Sequence, residues 1–99
     1  MPLYLDEIWL EWTSPADAKR VLERFRDLVG SSGFPSGVTL KAGPWFSNED
    51  ARVIMVLDIA NHAETFIPFG LALVHGLIAR RRLTPIVEWD ALGRLVTML

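Results

Sequence analysis

The stretch FIPFGLALVHGLIARRR, Phe66 to Arg82, constrains this chain most: it is an almost unbroken apolar run with one histidine inside it and three arginines behind it. From Phe66 to Ala79 it covers 14 residues, whereas a bilayer-spanning helix needs about 20. Pro68, Gly70, His75 and Gly76 interrupt it further. Arg80 to Arg82 read as cations closing a helix, where the dipole favours them. A helix is therefore expected, capped by Asn61 with Glu64 completing the box, kinked or delayed by Pro68, and ending near Arg81. Phe66, Ile67, Phe69, Leu71, Leu73, Val74, Leu77 and Ile78 would cover an arc of about 200° on it. One sheet buries about half of such an arc. The rest needs a second cover, either the C-terminal segment of the same chain or another subunit.

Composition points the same way. A chain of 99 residues is one domain with a large surface for its volume. Hydrophobic residues make up 51% of it and there are four tryptophans, more than so small a body readily hides. A homodimer is the expected partner state. The net charge of −2 and pI near 5.6 lack the basic footprint of a nucleic-acid or anionic-membrane binder. With no cysteine there is no disulfide framework and no thiolate chemistry or metal site. The acidic start MPLYLDEIW does not read as a signal peptide. A cytoplasmic protein is expected.

PLYLDEIWLEW alternates as a strand. In TSPADAKRVLERFRDLVG, Ser14 suits the N-cap, Pro15 the first helical position, Asp17 the first turn and Gly30 the C-terminal stop. Ala18, Val21, Leu22, Phe25, Leu28 and Val29 form its apolar stripe, with Leu22 and Phe25 as anchors. GSSGFPSG reads as a loop. VTLKAGPWF and ARVIMVLDIA form a hairpin around SNED, with Gly43–Pro44 marking a bulge or an edge. LTPIVEWDA is the expected fourth strand. Leu92, Leu95, Val96 and Leu99 suggest a short final helix behind Asp90, with a fifth strand as the alternative. The order is strand, helix, strand, strand, helix, strand: an α+β, ferredoxin-like βαββαβ domain over residues 1–99, with a four-stranded antiparallel sheet and both long helices on one face.

Alternation then assigns the faces. Ile8, Leu10, Val38, Leu40, Val53, Met55, Leu57 and Val87 turn to the helices. Glu7, Trp9, Glu11, Lys41, Trp45, Arg52, Ile54, Val56, Asp58, Ile86 and Glu88 occupy the other face, which mixes rings with both charge signs. Such a patch is a dimer contact or the wall of a small ligand cavity. Glu7 and Glu11 lie about 13 Å apart along the strand, too far for a close carboxylate pair. Glu7, Glu11 and His75 are the candidates for a single acid or base. Two histidines without a carboxylate or thiolate at ligand spacing make no metal site.

With IWLEW, SPADAKRVLERF, the hairpin VTLKAGPWF…ARVIMVLDI and the late strand TPIVEWDAL in this order, the chain resembles the dimeric α/β-barrel superfamily, and most closely its short bacterial branch. That resemblance implies sheet-to-sheet pairing and, in some members, a ligand between sheet and helices. Relatives include cofactor-free monooxygenases, haem-degrading enzymes and muconolactone isomerases. The haem-degrading pattern does not carry over: the first strand has no Asn, and Thr65 and Phe66 stand where that pattern has other residues before His75. No cofactor is expected. Two functions follow, a homodimeric small apolar-ligand-binding or assembly domain, or a cofactor-independent monooxygenase or isomerase acting on an aromatic metabolite.

Overall fold

Alternating β-branched and aromatic residues place four strands in one antiparallel sheet. In the computed structural model, which describes residues 2–30 and 34–99, these are β1 (Leu3–Trp9), β2 (Val38–Phe46), β3 (Arg52–Ile59) and β4 (Arg80–Ile86). Their order across the sheet is β2-β3-β1-β4, with every neighbouring pair antiparallel. Helix α1 (Pro15–Gly30) joins β1 to β2, and α2 (Phe66–Val74) joins β3 to β4, so each helix bridges two strands with one strand between them. A third helix, α3 (Ala91–Thr97), ends the chain behind Asp90. The fold is α+β, with an open sheet and three helices.

Ile8, Leu10, Val53, Met55, Leu57 and Ile59 form the buried sheet face, closed by Val21 from α1 and by Ile78. Phe25 of α1 and Phe69 and Ala72 of α2 pack against this cluster, so both helices lie on the same side. The α1 start is as its sequence requires: Ser14 Oγ accepts from the Asp17 N–H, and Asp17 Oδ2 in turn accepts from the Thr13 N–H. Among the anchors expected on α1 the structure makes a correction. Val21 is fully buried, Phe25 is half-buried, and Leu22 is exposed. Val21 and Phe25, four residues apart on one side of the stripe, face the core, and Leu22 lies on its flank. The expected loop GSSGFPSG falls partly outside the described residues.

At Gly43–Pro44 the expected irregularity is present. The β2–β3 register shifts between Leu40 and Ala42 and again before Trp45, Gly43 has φ +89°, and the peptide to Pro44 is cis. β2 is an edge strand, so the break disturbs only its ladder with β3 and leaves the β3–β1–β4 pairing in register. The SNED turn is tied by Ser47 Oγ, which accepts from the N–H groups of Glu49 and Asp50.

The opening stretch departs from its expected form. Asn61 does cap, its side chain accepting from Ala63 N–H, but it caps a single 3-10 turn, and α2 starts only at Phe66. The helix then stops at Val74 rather than near Arg81. Gly76, at φ +70°, occupies the left-handed position that ends a helix. Gly76 N–H donates to Leu73 O and Leu77 N–H to Ala72 O, the paired bonds of a Schellman stop. Arg80, Arg81 and Arg82 consequently belong to β4, and that strand runs from Arg80 to Ile86 instead of from Leu83 to Ala91. Val87 and Glu88, expected on the two sheet faces, lie beyond the strand and are exposed.

Candidate functional site

Two surfaces carry chemistry. One is the cleft between the helices and the sheet. It is a narrow apolar cavity of about 90 Å³ lined by Ile8, Phe25, Val29, Phe34, Met55, Leu57, Phe69, Ala72 and Ile78. At one side it meets Asp6, Thr65 and Arg81. Asp6 points inward because β1 alternates, placing Tyr4, Asp6, Ile8 and Leu10 on the helix side. A carboxylate there, 2% exposed, needs a cation. Arg81 supplies it in bidentate form: Nε donates to Asp6 Oδ1 and Nη2 to Asp6 Oδ2, each at 2.8 Å. Arg81 reaches Asp6 because β4 pairs it with Ile8, two residues along β1 and on the same face. Its Nη1 donates to Thr65 Oγ1 at 2.8 Å, and the Thr65 hydroxyl donates to His62 O. Three N–H groups of Arg81 are thus occupied out of about five on a guanidinium. The Phe69 ring lies 5.7 Å from the guanidinium carbon.

The second surface is the open sheet face. Register pairs Leu3 with Ile86 and Asp58, Leu5 with Thr84 and Val56, Glu7 with Arg82 and Ile54, and Trp9 with Arg80 and Arg52. The face is therefore ionic-aromatic at the Trp9 end, while the other end mixes Leu3, Leu5, Val56 and Ile86 with Asp58 and Thr84. Arg52 Nη1 donates to Glu7 Oε2 at 2.9 Å. The Trp9 ring lies between two guanidinium groups, 3.9 Å from Arg80 and 5.5 Å from Arg52. Trp9 Nε1 donates to Asp50 Oδ2 at 3.1 Å. The Ser47 hydroxyl chiefly holds the Asp50 carboxyl below its usual value; burial opposes it, and Trp9, Arg52 and Arg80 add lesser lowering effects. Arg52 Nε is buried without a hydrogen bond; its nearest carboxylate oxygen, Asp50 Oδ1, is 3.4 Å away.

Trp9, Arg52, Ile54, Val56 and Ile86 thus share one face, as alternation requires, and Trp45 joins them opposite Ile54. Lys41 is the extra residue where β2 advances two positions against one of β3, so it is exposed at the bulge. Glu88 is not on this face; its carbonyl accepts from Ala91 N–H in the turn into α3. The acid–base candidates are not brought together. Glu7 is paired with Arg52 on the open face, Glu11 is exposed past the end of β1, and His75 is exposed just behind α2 beside a shallow groove along α1. None of the three lines the helix–sheet cleft.

Sequence reasoning missed the Asp6–Arg81–Thr65 cluster and the Arg80–Trp9 stack. The signal for the first was present: an acid at an inward position of an alternating strand. It became legible only once Arg81 moved from a helix end to a strand. Among the described residues no group of three histidine, aspartate or glutamate side chains is placed to hold a metal ion, and no helix is long and apolar enough to cross a membrane. No family model, curated protein or solved structure matches the chain.

Proposed function

We propose that this is a ferredoxin-like, homodimeric domain that pairs through its open sheet face and binds a small apolar ligand between sheet and helices. The split βαβ connections, with β1 inserted between β3 and β4, support the ferredoxin-like reading. The observation that carries the binding reading is the cleft, an apolar cavity of about 90 Å³ with an internally neutralised ion pair at its side. Apolar walls with one polar corner are what a small-molecule site requires. Because Asp6 neutralises Arg81, the corner favours a neutral ligand over an anion. The guanidinium N–H groups not engaged by Asp6 and Thr65 suit a single oxygen acceptor. A small ring with one hydroxyl or carbonyl, seated edge-first in this half-open cleft, fits the description. The enzyme reading loses ground, since Glu7, Glu11 and His75 all lie outside the cleft.

Phenol is the probe. In a titration followed by methyl NMR, the Ala72, Met55 and Leu57 signals should shift saturably while those of the open face stay still. Ala72→Phe, which fills the cavity from α2, should abolish the shifts. Equal, non-saturating shifts over the whole surface would reject the site.

A further inference from the structure

We propose that the cleft continues into a second subsite, and that its ligand is a neutral ketone with an apolar group on each side of the carbonyl. The ring takes the cleft, the carbonyl meets Arg81, and an alkyl chain lies in the groove outside. This rests on the binding reading above, and the test separates the two.

Outside the cleft, between the start of α2 and β4, runs a groove of about 590 Å³. Ala63, Phe66 and Leu83 line it and do not line the cleft. Thr65, Phe69 and Arg81 line both. A single layer of side chains thus separates an inner apolar void from an outer one. Alternation along β4 explains the placement, because it turns Arg81 and Leu83 to the helix side, where register sets them opposite Ile8 and Asp6. Two members of the layer are tied. Arg81 is held by Asp6 and Thr65, and Thr65 in turn by His62 O. Phe69 is half-buried, has no polar atom to tie it and turns about two side-chain bonds, so it is the member that can move aside.

The chemistry of the layer selects the ligand. A guanidinium donates and cannot accept. Three N–H groups of Arg81 are engaged, and the remaining ones meet no acceptor among the described residues. The side chain is only 12% exposed, so water serves these donors poorly. The Thr65 hydroxyl spends its proton on His62 O, and both Asp6 oxygens accept from Arg81. The boundary therefore lacks an acceptor and has no need of another donor. A carbonyl accepts only, whereas a hydroxyl brings a proton that would be buried without a partner, at a cost. An apolar group on each side of that carbonyl matches the two voids that meet at Arg81.

Acetophenone and valerophenone, whose alkyl chains differ by three methylenes, make the test by titration followed with methyl NMR. Both should shift Ala72, Met55 and Leu57 saturably. Only valerophenone should also shift Ala63 and Leu83. Partial burial in an open groove is worth about twofold per methylene, roughly half the free energy of full burial, so valerophenone should bind about eightfold tighter. The secondary alcohol made by reducing valerophenone should bind at least about threefold weaker than the ketone. Phe66 is 70% exposed and lines only the groove, so Phe66→Ser should keep the fold. It should leave acetophenone affinity unchanged and remove most of the gain from the longer chain. Equal affinities for the two ketones, or a gain with Ala63 and Leu83 unmoved, would overturn the subsite and leave the cleft reading standing. An alcohol that binds as tightly as its ketone would overturn the choice of carbonyl. If phenol and both ketones leave Ala72 unmoved, the cleft reading fails and the subsite fails with it.

Discussion

Asp6 is the most deeply buried charged side chain among the described residues. Its carboxylate is 2% exposed, and both oxygens depend on Arg81. A buried pair of this kind adds little over a well-packed apolar replacement, because desolvation offsets its Coulomb attraction. Removing one member is another matter, since the survivor is left charged and unpaired in an apolar wall. Asp6→Ala should therefore lower the unfolding free energy by about 3–5 kcal/mol in urea melts. The double replacement Asp6→Leu with Arg81→Met should recover most of that loss. A double variant no more stable than Asp6→Ala alone would show that the pair itself, and not the orphaned arginine, holds the site.

At the element scale, α1 and α2 show what a sequence discloses and what it conceals. α1 was legible because every signal agreed: Ser14, Pro15 and Asp17 at its start and one apolar stripe after them. The Asp17 carboxyl is held below its ordinary value of 3.8, first by the Thr13 backbone N–H and then by Arg20. A depressed carboxylate stabilises the fold above its unfolded pKa, and that contribution disappears as pH falls through the folded value. Asp17→Asn should thus flatten the acid side of the stability–pH curve below about pH 4 and leave its shape above pH 6 unchanged. Circular dichroism at fixed urea across that range checks it; an unchanged acid slope would remove the cap from the account. α2 was misread because two signals competed. Three arginines behind an apolar run suggest a helix end, but Gly76 had already ended the helix by a backbone conformation the arginines do not control. The displaced boundary moved β4 as well, and with it the Asp6–Arg81 contact. The faces of β1 and β3 survived this error, because strand alternation is local, whereas Val87 and Glu88 fell off the end of the displaced β4.

For the whole molecule, the apolar excess in the sequence reappears as surface. The accessible area is 7000 Å², against about 5,700 Å² for a compact monomer of this mass. The radius of gyration is 15.5 Å, against about 13 Å. Trp45, Phe46, Ile67, Leu71 and most of α3 contribute to that excess. A body that leaves such area wet gains by association, and then folding and association become one equilibrium. Stability must in that case depend on concentration. For a dimer unfolding to two chains, each tenfold rise in protein adds about 1.4 kcal/mol. With a denaturant slope of about 2–3 kcal/mol/M for the pair, the urea midpoint should rise by roughly 0.5 M per tenfold. Wild-type melts at 1, 10 and 100 μM measure it directly. Val56→Glu, which puts a charge on the central strand of the open face opposite Leu5, should reduce that dependence. Deleting residues 91–99 removes the exposed Leu92, Leu95, Val96, Met98 and Leu99 and should reduce it further where that apolar surface also joins the association. If the two changes act on separate surfaces, their effects on the midpoint should add. A wild-type midpoint that stays fixed across the hundredfold range would mean that the exposed apolar surface belongs to a stable monomer, and the proposed pairing of open sheet faces would fall with it.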